Sequence, residues 1–259
     1  MIYGICNLSA IAMRKESRHA SEMVSQLLYN ETYRVLDKTH EWVLVRKDNG
    51  PSTLLMDGTS TLQTQDSGTG YYEGWIQAKQ FCEISEEEYN ALKDKKIYLI
   101  SKPIAEYKGK FLSLGTPLYE PHHDAIEMPA GFHPEMMMDY AKMLLGAPYL
   151  WGGRTAFGID CSGLVQVCAR MAGLLLPRDA SQQVKEGELV YFLQETQPGD
   201  LAFFGEEDGH ITHVGIILGD EQIIHCSGQV RIDYLDQTGI FNKEKNEHTH
   251  RLQVIKLMK

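Results

Sequence analysis

In the stretch GIDCSGLVQVCARMAG, residues 158–173, a cysteine follows an aspartate directly and opens a run that reads as a helix. A thiol attacks a carbonyl only once it is ionised, and an unperturbed cysteine has a pKa of about 8.5. Uncommitted N–H groups at a helix N-terminus lower that value, and so does a histidine able to take the proton. With Asp160 near the cap and Cys161 in the first turn, the Cys161 N–H is also one of the donors a developing oxyanion needs. Ser162 and Gly163 are small and leave room for a substrate. The competing reading is a packing cysteine. Cys168, two turns deeper among Leu164, Val165 and Met171, reads that way.

The histidines weigh between the two readings. HVGIILGDEQIIHCS, 213–227, reads as two strands joined at Gly219-Asp220. Centring the hairpin on Gly219 gives a three-residue loop and sets His213 opposite His225, while a slip of one residue would send the rings to opposite faces. Cysteine nucleophile, histidine base and a third group orienting the base is a thiol-peptidase arrangement. The expected roles are Cys161 as nucleophile, His213 as base and His225 as orienter. His210 is an alternative base, but EEDGH reads as a turn. Metal chemistry is not expected: HITH is not HExxH, and His122, His123 and His133 stand in a Pro-containing linker where surface positions are the plainer reading. No P-loop or dinucleotide fingerprint is present, and no cofactor is required.

These side chains need elements to hold them. YRVLD, EWVLVRK and YYEGWIQA alternate as half-buried strands do, with a Gly/Ser/Thr/Asp-rich segment between the second and third. ISEEEYNALKDKK carries Ser85 and Glu88 at capping-box spacing and is predicted to be a helix. Short strands follow, then the linker EPHHDAIEMPAGFHPE. MMMDYAKMLLG is predicted to be a helix with Met137, Tyr140, Ala141, Leu144 and Leu145 on one face. Beyond the Cys161 helix, DLAFFG, HVGIILG and QIIHCS give an antiparallel run, making the class α+β.

The chain of 259 residues, 43% hydrophobic and 23% charged, builds a sizeable core and is longer than one average domain. A net charge of −10 argues against nucleic acid as the main partner. No apolar run reaches the ~18–20 residues of a transmembrane segment. Five cysteines without a CxxC pair suggest neither a disulfide framework nor zinc, and point to a reducing compartment. The expected location is the cytoplasm; the alternative is the periplasm or export with a signal already removed.

DCSGLV, PYLWGG, PRDASQQ, QPGDLAFF, HVGIILG and IIHCSG, taken together and in order, resemble the NlpC-type cysteine peptidases of bacterial cell walls over 134–259. The resemblance implies a papain-like α+β catalytic domain with a Cys-His-His triad, which would be Cys161, His213 and His225. It also places Tyr149 near the oxyanion, has Trp151, Asp160 and Ser162 line the substrate groove, and has Asp179 touch the substrate. Many relatives carry serine where Ala180 stands, so the role of that serine is either absent from this chain or passed to Ser181. The N-terminal region is similar to bacterial SH3-like domains. The implied layout is an all-β SH3-like barrel region with a first domain over 1–83 and an insertion at about 49–70. A connecting helix follows at 84–96, then a second, partial SH3-like domain at 97–128 and the peptidase domain at 129–259. This combination resembles the branch that cleaves γ-D-glutamyl-L-diamino acid bonds in muropeptides with a free N-terminal L-alanine, also called dipeptidyl-peptidase VI. Glu22 and Tyr72 would grip the free ammonium; the alternative is that Glu22 caps a loop and Tyr72 packs the barrel. Rival functions are an amidase or acyltransferase on the same core, and an inert wall-binding module.

Overall fold

The computed structural model describes residues 1–47 and 72–259; the expected insertion at about 49–70 lies outside the described residues. The chain forms two compact units, Met1–Gly131 with Trp151–Ala156, and Phe132–Leu150 with Phe157–Lys259.

In the first unit, among the described residues, seven strands make one antiparallel sheet: β1 (Ile2–Ile5), β2 (Ala10–Arg14), β3 (Met23–Leu28), β4 (Thr32–Lys38), β5 (Trp42–Lys47), β6 (Tyr72–Gln77) and β7 (Glu83–Ile84), ordered β3-β2-β6-β5-β4-β1-β7. The alternation seen in EWVLVRK has its cause here: Val43 and Val45 join Ile11, Met13, Leu27, Tyr33 and Ile76 in a fully buried cluster. Helix α1 (Glu86–Lys93) starts at the expected capping box, the Ser85 N–H donating to Glu88 Oε2 at 2.9 Å and the Glu88 N–H to Ser85 Oγ at 3.1 Å.

A smaller part of the same unit follows, with β8 (Tyr98–Ile100), β9 (Ile104–Tyr107), β10 (Lys110–Ser113), β11 (Pro117–Leu118) and β12 (Ala125–Glu127). Its sheet runs β11-β8-β12 beside the β9–β10 hairpin, around Ile100, Ala105, Tyr107, Leu112 and Leu118. Part of the expected linker is therefore strand. Ala125, Ile126 and Glu127 pair with Ile100, Leu99 and Tyr98, a three-residue edge too short for an alternating pattern to show.

Strand β13 (Arg154–Thr155) also belongs to the first unit. Arg154, 2% exposed, donates to Glu31 at 2.8 and 3.0 Å, and Lys47 Nζ stands 3.4 Å from the same carboxylate. Glu31 further accepts the Leu28 N–H at 2.9 Å. Arg154 donates again through Nη1 to the Gln26 carbonyl and through its backbone N–H to Gln26 Oε1, both at 2.7 Å.

The second unit begins with α2 (Pro134–Met143), which buries Met137 and Ala141 as expected. Leu145, expected on that face, is instead exposed: the helix stops short of it and Gly146 turns the chain at φ +82°. Then come β14 (Gly158–Ile159), α3 (Cys161–Met171), α4 (Ala180–Gln183), β15 (Glu188–Val190), β16 (Leu201–Gly205), β17 (Ile211–Gly219), β18 (Gln222–Ser227), β19 (Gln229–Leu235), β20 (Gly239–Asn242) and β21 (Glu247–Leu257). Among the described residues the sheet runs β15-β21-β16-β17-β18-β19-β20, and β20 pairs back onto β21. The long β21 makes this possible, bonding β20 along its first half and β16 along its second. Helix α3 packs on β17 and β18, and helices against an antiparallel sheet make the class α+β. Among the described residues no helix is long and apolar enough to cross a membrane.

Removing Glu31 takes from the buried Arg154 and Lys47 the carboxylate they share, and breaking a buried ion pair costs about 3–5 kcal/mol. Glu31→Ala is therefore expected to lower the urea midpoint steeply. An unchanged midpoint would show that the ion cluster does not stabilise the fold.

Candidate active site

Helix α3 starts where it does because Asp160, extended at φ −99° and ψ 178°, caps it: Oδ1 accepts the Gly163 N–H at 2.7 Å. Arg178 fixes that cap with a two-pronged ion pair, Nη1 to Oδ1 at 3.0 Å and Nη2 to Oδ2 at 2.6 Å, and gives a third bond to Ser162 Oγ at 2.9 Å. Cys161 is thereby held as the first residue of α3 and is 7% exposed. Burial, then the charge of Asp160, pushes its thiol up to about 11, against the Val214 and Ser162 N–H groups and the Arg178 guanidinium, which pull it down. The sulfur thus lies against the strand residue that follows His213. At rest it is a thiol, so attack requires a base.

His213 and His225 meet, though not in the expected register. Gly215, not His213, stands opposite His225, and a two-residue turn with Asp220 and Glu221 at φ +49° and +58° replaces the three-residue loop. A shift of two residues preserves the face, so the imidazoles meet diagonally with rings at 88° and His213 Nε2 2.9 Å from His225 Nδ1. Gly215 makes the diagonal possible. A Cβ there would come 2.8 Å from Ile223 Cδ1 and 3.0 Å from His225 Cβ.

Three neighbours that the sequence pattern does not single out complete the cluster. Asp233 Oδ2 lies 3.0 Å from His225 Nε2, and Arg231 clasps that carboxylate at 2.6 and 2.9 Å. His250 stacks on His213 with centroids 4.1 Å apart and planes 26° apart. Asp233 has a readable signal: in a β18–β19 hairpin where His225 faces Arg231, the residue two further on shares their face. His250 comes from β21, remote in sequence, and has none. The first cause of the low His213 pKa is burial, and the neighbouring His250 and His225 add to it; the imidazole is held well below its usual range and is neutral. Burial likewise takes His250 down to about 4. His213, His225 and His250 also group as potential metal ligands. The rings are already engaged with one another and with Asp233, so the donor set suits proton handling better than a cation.

The remaining predicted residues divide between the units. Tyr149 is half-buried in the second, where its N–H donates to the Gly228 carbonyl at 2.9 Å. Burial raises its hydroxyl pKa, and the nearby Cys161 and Asp160 raise it further. Asp160 and Ser162, expected along the groove, are 6% exposed and engaged with Arg178. Asp179 caps α4, its N–H donating to Gln182 Oε1 at 3.3 Å, and Ser181 is exposed in the first turn of that helix. His210 is exposed in a turn. In the first unit, Trp151 Nε1 donates to Glu22 Oε1 at 2.7 Å, bringing two expected substrate residues together. Glu22 is 41% exposed, not buried as a desolvated ammonium would favour, and Lys15 Nζ stands 3.6 Å away. Tyr72 donates its hydroxyl to the Val24 carbonyl at 3.2 Å.

The chain matches the NlpC/P60 family over residues 146–249 and the bacterial dipeptidyl-peptidase Sh3 domain over residues 13–49. It is 27% identical over 240 residues to the gamma-D-glutamyl-L-lysine dipeptidyl-peptidase of Bacillus cereus, an alignment covering 80% of this chain and 68% of that protein. It is 28% identical over 230 residues to the protein of the same name in Bacillus subtilis, covering 78% and 71%. In fold it is similar to the crystal structure of an NlpC/P60 family protein from Bacillus cereus, with a TM-score of 0.73 and 21% identity over 98% of this chain and 99% of that one.

His213 and His250 are neutral when folded but take protons near pH 6.5 when unfolded. Across the window from about 6.5 down to about 4 the unfolded chain binds more protons, so stability falls as pH falls. The urea midpoint is expected to drop between pH 7 and pH 5, and His250→Gln to flatten that drop. An equal pH dependence in the variant would show that His250 does not contribute.

Proposed function

The chain belongs to the NlpC/P60 family of cysteine peptidases, and from that premise we propose that it hydrolyses the γ-D-glutamyl-L-diamino acid bond of peptidoglycan-derived peptides with a free N-terminal L-alanine, releasing L-Ala-γ-D-Glu. One observation carries the chemistry: a thiol at a helix N-terminus lies against the strand of a neutral imidazole whose Nε2 is bound to a second imidazole. The likeness to the two Bacillus dipeptidyl-peptidases supports the substrate class.

In this mechanism Cys161 attacks the γ-glutamyl carbonyl as His213 takes the thiol proton. The tetrahedral oxyanion is held by the Cys161 N–H and the Tyr149 hydroxyl. His213 then protonates the departing amine, the C–N bond breaks, and water, activated by the same imidazole, resolves the thioester. Glu22 is assigned to the substrate ammonium, with Trp151 holding the carboxylate in place. Charge-assisted hydrogen bonds of this kind are the strong ones.

The test is cleavage of L-Ala-γ-D-Glu-L-Lys followed by mass spectrometry, beside its N-acetylated form. The free peptide is expected to be cut and the acetylated one spared. Cys161→Ala should lose activity by at least about 10³-fold while still folding, and Glu22→Gln should raise KM more than it lowers kcat. Activity persisting in Cys161→Ala would remove the nucleophile, and equal cleavage of the acetylated peptide would remove the ammonium requirement.

A further inference from the structure

We propose that Asp233 is a positioning residue that orders the protons on both imidazoles and so leaves His213 Nδ1 bare to accept the thiol proton. This rests on Cys161 and His213 being nucleophile and base.

The order of protons is set from the carboxylate inward. Burial alone would raise the Asp233 pKa, but the hydrogen bonds from His225 and Arg231 outweigh it and keep the group ionised. An ionised carboxylate only accepts, so the proton on His225 sits on Nε2, 3.0 Å from Asp233 Oδ2. In the proposed arrangement that is the one proton His225 holds, and its Nδ1 is bare. That atom is 2.9 Å from His213 Nε2, which must therefore be the donor. His213 then carries its proton on Nε2 and offers its lone pair at Nδ1. The reverse order would set the bare Nε2 of His225 against a carboxylate and put a proton on His213 Nδ1, where no second one can be taken.

The same arrangement serves the reaction. When the S–C bond forms, the carbonyl π pair moves to oxygen and the thiol proton moves to His213 Nδ1. The resulting imidazolium donates through Nε2 toward His225, whose own N–H rests on the negative charge of Asp233. When the C–N bond breaks, that proton leaves with the amine.

Other charged or titratable groups face the pair. From β21, His250 stacks on His213 and meets His225 edge-on at 5.6 Å. From β19 and beyond β20, Arg231 holds Asp233 and in turn pairs with Glu244 at 3.1 Å, while Lys245 acts on His250. At the start of α3 stands Cys161 against the Val214 N–H, and the Asp160–Arg178 pair acts on that thiol, Arg178 coming from the segment between α3 and α4. None of them reaches His225 Nε2 in place of the carboxylate.

Two measurements test the assignment. Nitrogen-15 NMR of the wild-type protein with labelled histidine at pH 7 should show both His213 and His225 as Nε2–H tautomers. In kinetics, Asp233→Asn and Asp233→Ala should lower kcat by about tenfold or more, short of the ~10⁴-fold seen when a carboxylate directly on the base loses its charge. KM should stay within about twofold. The acid limb of the kcat profile should move to lower pH, because imidazolium forms less readily without the negative charge. Asp233→Glu should recover part of the rate. A His213 proton on Nδ1 in the wild type would overturn the proposal, as would kcat within about twofold in both charge-removing variants. A wild-type protein with both Nε2–H tautomers that cleaves no peptide would count against the peptidase reading alone and leave the proton order standing.

Discussion

The hydrogen bond between His213 and His225 constrains strand register, ring orientation and side-chain size in the second unit at once. For two imidazoles on adjacent strands to meet nitrogen to nitrogen, their rings must stand nearly perpendicular, and the strands must be in a register that keeps both on one face. The residue between them in the ladder must also have no side chain. Gly215 meets the last demand, and the tight Asp220-Glu221 turn sets the register. Strand β19 brings Asp233 to the far ring, and β21 brings His250 against the near one. Keeping such polar rings inside the protein is tolerable only because each finds a partner there.

Buried charge is handled alike in two other places. Asp160 and Arg178 lock the start of α3, and Glu31 with Arg154 and Lys47 locks the chain at β13. Desolvating such pairs is costly, and greasy replacements of similar shape are often as stable. Their use here lies in geometry. A two-pronged guanidinium–carboxylate contact fixes orientation as well as distance. At α3 that orientation fixes the helix turn in which the thiol sits.

Much of this is readable in the residues. Capping at Ser85 and Glu88 is decided within a few positions of chain, so the helix there is legible. Asp160 before Cys161 is legible as a cap for the same reason. Parity along a strand survives a register error of two, so the shared face of His213 and His225 can be read although their exact pairing cannot. What escapes is set by distant segments. His250 reaches the site from β21 because that strand serves two neighbours along its length, and no local pattern encodes this. The buried partnership of Asp160 and Ser162 with Arg178 joins positions sixteen to eighteen residues apart. Strand β12 escapes for a plainer reason: three residues are too few to show a period.

Trp151–Ala156 packs with the first unit although the chain on both sides of it belongs to the second. A polypeptide that passes between its two bodies more than once cannot be divided by one cut. Separating the halves at residue 131 would leave Arg154 on the C-terminal fragment and its counter-ion Glu31 on the other. In evolutionary terms, a recombination event that joined this peptidase unit to an unrelated N-terminal module would inherit Arg154 without the carboxylate of Glu31. The pairing of these two modules is therefore expected to be inherited as a whole, with positions 31 and 154 changing together or not at all.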